Sequence, residues 1–494
     1  MSRPEFAVQA TFGDAWGKAT AANPDTVRAL REMLGAADAG PRLDPNQEAV
    51  ATCHLPRAGH TWGWATQLYA ARSRRSWGHG DLEDLRKLAS WSRGLGAGFV
   101  QLNPLHAGAP VGVQQASPYF PSSRRFRNPL YIAVDRVPGF RRVASSIAPV
   151  LAEAAALNRR RLLDPTRVYA LKLRALEGIW AATPPLTGFD SWLLREGEDL
   201  STYATYCVLA EAHTSDWRTW PANLRSPGGH EVPADRVRFH SWLQWLLDRQ
   251  LERAAGELRP ICDLAIGADP GGADAWTWQD QLIPGYTVGA PPDVMNLSGQ
   301  DWGFPAFHPG ALVSSRFQPF REIVRANLRH AFGLRIDHVM GLFRLWLIPA
   351  GGSPADGAYV TYPAAGMLDV LAEESRAARA LVVGEDLGTV APGVREEMER
   401  RRILSYRLLL FEDRSPAKYP ALSLGAVTTH DLPTVAGLWT GADATAVTQA
   451  GLEPNLAANE QLRQRLARLG GVARDASAEA AILAVYTALG RGNS

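Results

Sequence analysis

Three stretches of the chain end an apolar run in ionisable residues. Gly333 to Trp346 reads GLRIDHVMGLFRLW: Leu334 and Ile336 flank Arg335, and the apolar part gives way to Asp337 and His338 ahead of a glycine turn. Ala380 to Gly388, ALVVGEDLG, is a buried-strand run that ends in Glu385 and Asp386, and Leu424 to Trp439, LGAVTTHDLPTVAGLW, loses its apolar character at His430 and Asp431. Asp337 and Glu385 stand 48 residues apart, and Glu385 and Asp431 stand 46 apart. Each interval is about the length of one strand, one helix and two loops. Parallel neighbours need a helix-sized crossover, so this spacing points to one parallel sheet with helices between its strands. The loops at the C-terminal ends of such strands converge on a substrate in a barrel. A single acid at a strand end is ordinarily a helix N-cap. Three in register, two with a neighbouring histidine, point to a site.

Around these stretches the pattern predicts seven strands. WATQLYA (64–70) is the first, the helix GDLEDLRKLASWSRGLG (80–96) follows with Leu82, Leu85, Leu88 and Trp91 on one face, and AGFVQLNPL (97–105) is the second. From about 140 to 257 the pattern is almost wholly helical, an insertion after strand two that would form one wall of a cleft. Strand three is 261–267, followed by a long irregular connection to Pro309. A helix over 317–331 leads to strand four at LRID, and a helix over 364–378 leads to strand five. Strands six and seven are LSYRLLLFE (404–412) and LSLGAVTT (422–429), and helical patterns follow to Ser494. The expected fold class is α/β, a (β/α)8-type TIM barrel with a large helical insertion, of which seven strands are recognisable. Residues 1–60 read as an N-terminal extension holding a capped helix after Asn23-Pro24-Asp25 and a loop at GPRLDPNQ (40–47), and 61–494 as the barrel domain.

Composition narrows the function classes. The 494 residues carry a net charge of +2, 46% hydrophobic and 21% charged residues, those of a globular protein with no bias toward nucleic acid or an anionic membrane. Cys53, Cys207 and Cys262 form no CxxC, which indicates neither a disulfide framework nor a zinc site. The N-terminal residues show no signal pattern and no run approaches the ~18 apolar residues of a membrane span, so a cytoplasmic protein is expected.

The motifs RIDH, GEDLG and THD resemble those of the amylomaltases, the 4-α-glucanotransferases of glycoside hydrolase family 77 in the α-amylase superfamily. The resemblance runs from Trp62 onward. It includes QLYAARSRRSWGHGDL, LNPLHA, SPYFPSSRRFRNPLYI, DLAIGADPGGADAW, and GAPPD followed by GQDWGFP, in that order. The bacterial members carry a β-rich domain between the N-terminal helix and the barrel, for which this chain offers no room. They also carry a further segment with the last strand and an Asn-rich loop, a pattern not readable before Ser494.

The resemblance implies roles. Asp337 would be the nucleophile, Glu385 the general acid/base, and Asp431 the residue that holds sugar hydroxyls and stabilises the transition state. A retaining glycosidase places its first two carboxyls ~5–5.5 Å apart. Asp386 rivals Glu385, but successive side chains of a strand face opposite ways, so only one can serve. Arg335 lies two residues before the nucleophile on the same face, where its charge favours the ionised carboxylate. His338 and His430 are placed for sugar hydroxyls, and Tyr119, Asp293, Gln300 and Trp302 match positions that line the donor site. Ser117, Asn103 and His106 fall in similar motifs as substrate contacts or as loop architecture. Of the 16 tryptophans, a rich supply for stacking on sugar rings, Trp242 and Trp245 sit on a helix and read as core.

The implied reaction is disproportionation of malto-oligosaccharides through a covalent glycosyl-enzyme. It would use no cofactor and no metal, with α-1,4-glucan donor and acceptor as partners and a monomer or weak oligomer as the working form. The alternatives are a catalytically silent glucan-binding remnant and an α-amylase-type hydrolase. A metal-dependent hydrolase is disfavoured because the HxH expected near strand one is absent.

Overall fold

In a computed structural model, seven parallel strands lie side by side in the order of the sequence and curl into an arc. The structure describes residues 6–14, 18–36, 50–56, 59–183, 187–293 and 296–492, and the loop read at 40–47 lies outside them. The strands are Gly63–Thr66, Phe99–Leu102, Pro260–Leu264, Gly333–Ile336, Leu381–Gly384, Leu404–Leu408 and Ser423–Ala426. All seven match stretches expected from the sequence, six of them shorter than read and strand four shifted by one residue. The apolar run that signals a parallel strand continues into the loop beyond it. WATQLYA, for example, is strand only to Thr66 and then turns through a 3-10 segment, Leu68–Ala70.

Strands two to five are hidden on both faces, which is why Leu381, Val382 and Val383 form an unbroken apolar run. Inside the arc, Phe99, Ile261, Leu381, Val383, Tyr406 and Leu408 pack together, with Phe332 stacked on Phe99. Outside, helices Gln318–Leu328 and Ala364–Ala378 cover strands three to five, and the Leu82–Gly94 helix covers strand two. The Leu82–Gly94 helix begins at a reciprocal cap in which Asp81 accepts from the main chain of Asp84 and Asp84 from that of Asp81.

Helices dominate the described residues between 140 and 257, the longest being Pro165–Ala182, Phe189–Ala212 and Ala234–Glu257. They share a second core with the Leu82–Gly94 helix, and Trp242 and Trp245 are buried in it.

The connection read as irregular up to Pro309 holds two strands, Tyr286–Ala290 and Gln300–Phe304. Together with Arg344–Pro349, Ala358–Thr361 and Val8–Gln9 they build an antiparallel sheet of five. The N-terminal segment is therefore tied to the barrel by main-chain bonds, Val8 opposite Val360 and Gln9 opposite Tyr359. Tyr286–Ala290 and Gln300–Phe304 pair with each other, Gln300 opposite Ala290, and escape the sequence pattern because few of their residues are buried and Gly289 and Gly303 interrupt the alternation.

Candidate active site

Strand four delivers the first acid. Arg335 and Asp337 alternate onto one face of it, and the guanidinium of Arg335 donates through Nη1 to Oδ1 of Asp337 at 3.1 Å. The same nitrogen donates to Oδ1 of Asp263 at 2.7 Å. Asp263 is the register partner of Arg335 on strand three, so the two meet as a cross-strand pair beneath the site. Only 3% of either residue is exposed.

The turn after strand four brings the second acid to the first. His338 adopts the left-handed conformation, φ +48°, which costs a residue with a Cβ about 1 kcal/mol or more. That bend aims its main-chain N–H at Oε2 of Glu385, 2.8 Å away. The other carboxylate oxygen accepts from the N–H of Leu387 at 3.1 Å. Strands four and five reinforce the arrangement: Glu385 N–H donates to Ile336 O and Val339 N–H to Glu385 O, both at 3.0 Å. Gly384, just before Glu385, has no room for a side chain, since a Cβ would come within 2.8 Å of Val339 and 2.7 Å of Met398.

Asp386 takes the opposite side of the pleat. It is fully buried and accepts from Ser405 Oγ at 2.6 Å, from the N–H of Tyr406 at 2.9 Å and from Arg395 Nε at 2.7 Å. It joins strand five to strand six and leaves the cleft to Glu385.

The third acid, Asp431, stands at the rim with 74% of its side chain exposed, and its Oδ1 lies 3.1 Å from Nε2 of His430. The His430 ring stacks flat on Tyr119, centroids 4.3 Å apart and planes within 4°. The Tyr119 hydroxyl donates to Oδ2 of Asp263 at 2.5 Å and lies 3.2 Å from Nδ1 of His430. A continuous polar chain thus runs Asp431–His430–Tyr119–Asp263–Arg335–Asp337, and Glu385 closes on it through His338.

Of the other residues expected from the sequence, Trp302 stands edge-on to the His338 ring at 5.2 Å and donates its indole N–H to Gln300 Oε1 at 2.8 Å. Asp293 accepts from the N–H of Asn296 at 2.6 Å within its own loop. Asn103 and His106 hold loops: Asn103 Oδ1 accepts from Leu68 N–H, and His106 Nε2 accepts from Ala265 N–H. Ser117 is exposed and accepts from Tyr119 N–H at 3.3 Å.

Two residues were not singled out from the sequence. Asp263 sits in DLAIGADPGG, and its signal was present: an acid inside a buried apolar run, which needs a buried partner. Tyr69 is half-buried, and the charge of Asp431 acts on it. It also lines a cavity of about 260 Å³ in which His79, His106, Gln114, Asn128 and Tyr131 stand among apolar residues such as Phe120, Leu130 and Leu163.

The electrostatics separate the acids. Burial, with Asp337 adding to it, pushes the Glu385 carboxyl up to about 7, against the pull of Arg335. Burial also raises Asp337, to about 6, with Arg335 opposing and Asp263 adding. Asp431 is open to water, so the partial desolvation of the cleft rim is outweighed by its bond to His430 and the charges of His430 and Arg335, which hold it below the usual range. Burial, with the charge of Arg344 adding to it, pushes His338 down to about 4, so its ring is neutral at pH 7. Arg335 stays charged: burial opposes, and Asp263 and Asp337 more than compensate. Near neutral pH the site therefore offers one carboxyl able to give a proton and others able to carry charge.

Comparison with known proteins fits this geometry. The sequence model of glycoside hydrolase family 77, described as 4-alpha-glucanotransferase, matches residues 66–489. A 4-alpha-glucanotransferase of Mycobacterium tuberculosis is 42% identical over 481 residues, covering 87% of this chain and 66% of the relative. One from Haemophilus influenzae is 35% identical, covering 79% and 62%. The crystal structure of amylomaltase from Corynebacterium glutamicum superposes with a TM-score of 0.79 at 34% identity, over 88% of this chain and 66% of that one. Amylomaltase from Streptococcus agalactiae, at 16% identity and a TM-score of 0.68 over 87% and 88%, shares the fold. The chain spans 66% of the length of the first curated relatives it matches. On the extent of the family match and the depth of these identities, the chain belongs to glycoside hydrolase family 77, the 4-alpha-glucanotransferases.

Proposed function

We propose that the chain is a 4-α-glucanotransferase that moves segments of α-1,4-glucan between malto-oligosaccharides with retention at the anomeric carbon. The observation that carries this is the pairing of Asp337 with Glu385 across the His338 main-chain N–H, one held by a guanidinium and the other kept protonated by burial. The Asp337 carboxylate attacks the anomeric carbon while Glu385 gives its proton to the departing glycosidic oxygen. The bond to the leaving chain breaks as the glycosyl ester forms. Glu385, now ionised, then takes the proton of an incoming 4-hydroxyl, whose oxygen displaces Asp337 and restores the α linkage.

The other residues have supporting roles. Arg335, fixed by Asp263, keeps Asp337 ionised and aimed. Asp431, with His430, grips the hydroxyls of the donor sugar. Tyr119 and Trp302 offer ring faces, and His338, Gln300 and Asp293 offer polar edges. The cavity beside Tyr69 receives donor sugars. No cofactor enters these steps. Residues 61–494 act as the catalytic unit in this reading, with the cytoplasm as the place of action. Among the described residues no helix is long and apolar enough to cross a membrane.

The test is incubation with maltotriose and separation of the products. Glucose together with maltopentaose and longer chains is the expected outcome. Shortened sugars alone would make the protein a hydrolase, and unchanged maltotriose would overturn the reading.

A further inference from the structure

The cavity beside Tyr69 offers hydrogen-bonding groups but no charge. Among the described residues no carboxylate, ammonium or guanidinium lines it, and the loop carrying Ser117, Pro118 and Phe120 sets it beside Tyr119. Its volume of about 260 Å³ has room for several waters or for one sugar ring.

Several of its polar groups are already partnered. Gln114 Nε2 donates to Ala109 O at 2.8 Å, Asn128 Oδ1 accepts from Leu130 N–H at 2.9 Å, and the Tyr131 hydroxyl accepts from Asn103 Nδ2 at 2.8 Å. Two buried rings are different. His79 is 4% exposed, and its Nδ1 lies 2.8 Å from Gly80 O. A carbonyl only accepts, so Nδ1 carries the proton and Nε2 is left as an acceptor. Among the described residues no donor reaches Nε2, nor is it sealed from solvent, so it opens on the space that the ring lines. His106, 5% exposed, has the opposite tautomer: Nε2 accepts from Ala265 N–H at 3.2 Å, Nδ1 carries the proton, and no acceptor among the described residues meets it. Burial pushes both rings down to about 3, with the charge of Lys172 adding to it at His79 and that of Arg124 at His106, so both are neutral at pH 7.

A space with a bare acceptor, a bare donor and no charge suits an uncharged molecule whose groups both donate and accept, as hydroxyls do. We propose that His79 is a specificity-determining residue for the donor: its Nε2 accepts a hydrogen bond from a hydroxyl of a glucose unit seated in this cavity. His106 Nδ1–H is the complementary donor, and Phe120, Leu130 and Leu163 give the ring's apolar faces something to pack on. This rests on the glucanotransferase reading and adds to it the group that recognises a donor sugar away from the reacting bond.

The test measures transfer from malto-oligosaccharides of increasing length by the intact chain, His79→Phe and His79→Gln. With the longer donors His79→Phe should raise KM about three- to tenfold and leave kcat within a factor of about two, the mark of one lost neutral hydrogen bond to the bound sugar. His79→Gln, which keeps an acceptor, should stay near the parent. A KM in His79→Phe equal to the parent's for every donor overturns the assignment. If His79→Phe fails to fold, crystals of Asp337→Asn soaked in maltoheptaose decide: a sugar hydroxyl within hydrogen-bond distance of His79 Nε2 is expected, and water alone in the cavity overturns the site. Absence of transfer by the parent would instead fail the reaction assigned above, and the soaked crystal judges the cavity without it.

Discussion

Asp263 and Arg335 are register partners on adjacent parallel strands, and their side chains meet at 2.7 Å with 3% of each residue exposed. Truncating one member of such a pair leaves a buried charge. Asp263→Ala should cost about 3–5 kcal/mol of stability in urea unfolding. Asp263→Asn should preserve the fold better but lower turnover by about 10²-fold, since Arg335 loses its anchor and Asp337 its aim. A turnover unchanged in Asp263→Asn would separate this pair from the chemistry.

The two central carboxyls set the pH response. Activity needs Asp337 ionised and Glu385 protonated, so kcat/KM should rise as pH climbs through about 6 and fall as it passes about 7. Stability follows the sign of the shifts. Both carboxyls are raised above their unfolded values, so the stability they contribute is full below pH ~4 and is lost as pH rises through 6 to 7. Glu385→Gln should therefore unfold at a higher temperature than the parent at pH 8 and close to it at pH 4.5. A parent-like Tm at pH 8 would contradict the burial of this acid.

Asp337→Asn removes the nucleophile while keeping the side-chain shape beside Arg335. Transfer from maltotriose should fall by about 10³-fold or more, with the far-ultraviolet circular dichroism unchanged. Undiminished turnover in the folded variant would reject the assignment.

Gly384 allows strand five to pass under the turn that holds His338. Gly384→Val would press on Val339 and Met398, and such overpacking typically costs about 1–3 kcal/mol. Because Val339 follows His338 directly, the variant should lose activity beyond its loss of stability, which is measurable as a lower kcat well below its melting temperature.

Trp302 and His338 form an edge-to-face pair at the rim. Trp302→Ala should raise KM for maltotriose about tenfold and leave kcat within a factor of about three, the pattern of lost ground-state binding. A fall in kcat with KM unchanged would place Trp302 in the chemistry instead.

The acids and the strands that bear them were legible because burial and alternation leave a plain mark. An apolar run that closes on Asp-His, Glu-Asp or His-Asp places charge where a buried strand reaches water, and helix Ala364–Ala378 has the bounds its pattern predicts. Asp263 was less visible: its role depends on a neighbour 72 residues away, and no local period records which strands are adjacent. The edge strand of the antiparallel sheet was missed for the same reason, Val8–Gln9 being paired to a segment some 350 residues distant. The left-handed turn at His338 had only a weak marker, since histidine enters that conformation more often than most residues without requiring it.

Glu385 and Asp386 are consecutive acids divided by a pleat, one lining the cleft and the other locked to Ser405, Tyr406 and Arg395. Strand five therefore behaves as a ruler with one permitted reading. Inserting or deleting a single residue between Leu381 and Glu385 would swap the two carboxyls between chemistry and scaffolding. Lineages that preserve the reaction should hold the length of this strand and the glycine at position 384 constant, while its buried apolar residues exchange for one another.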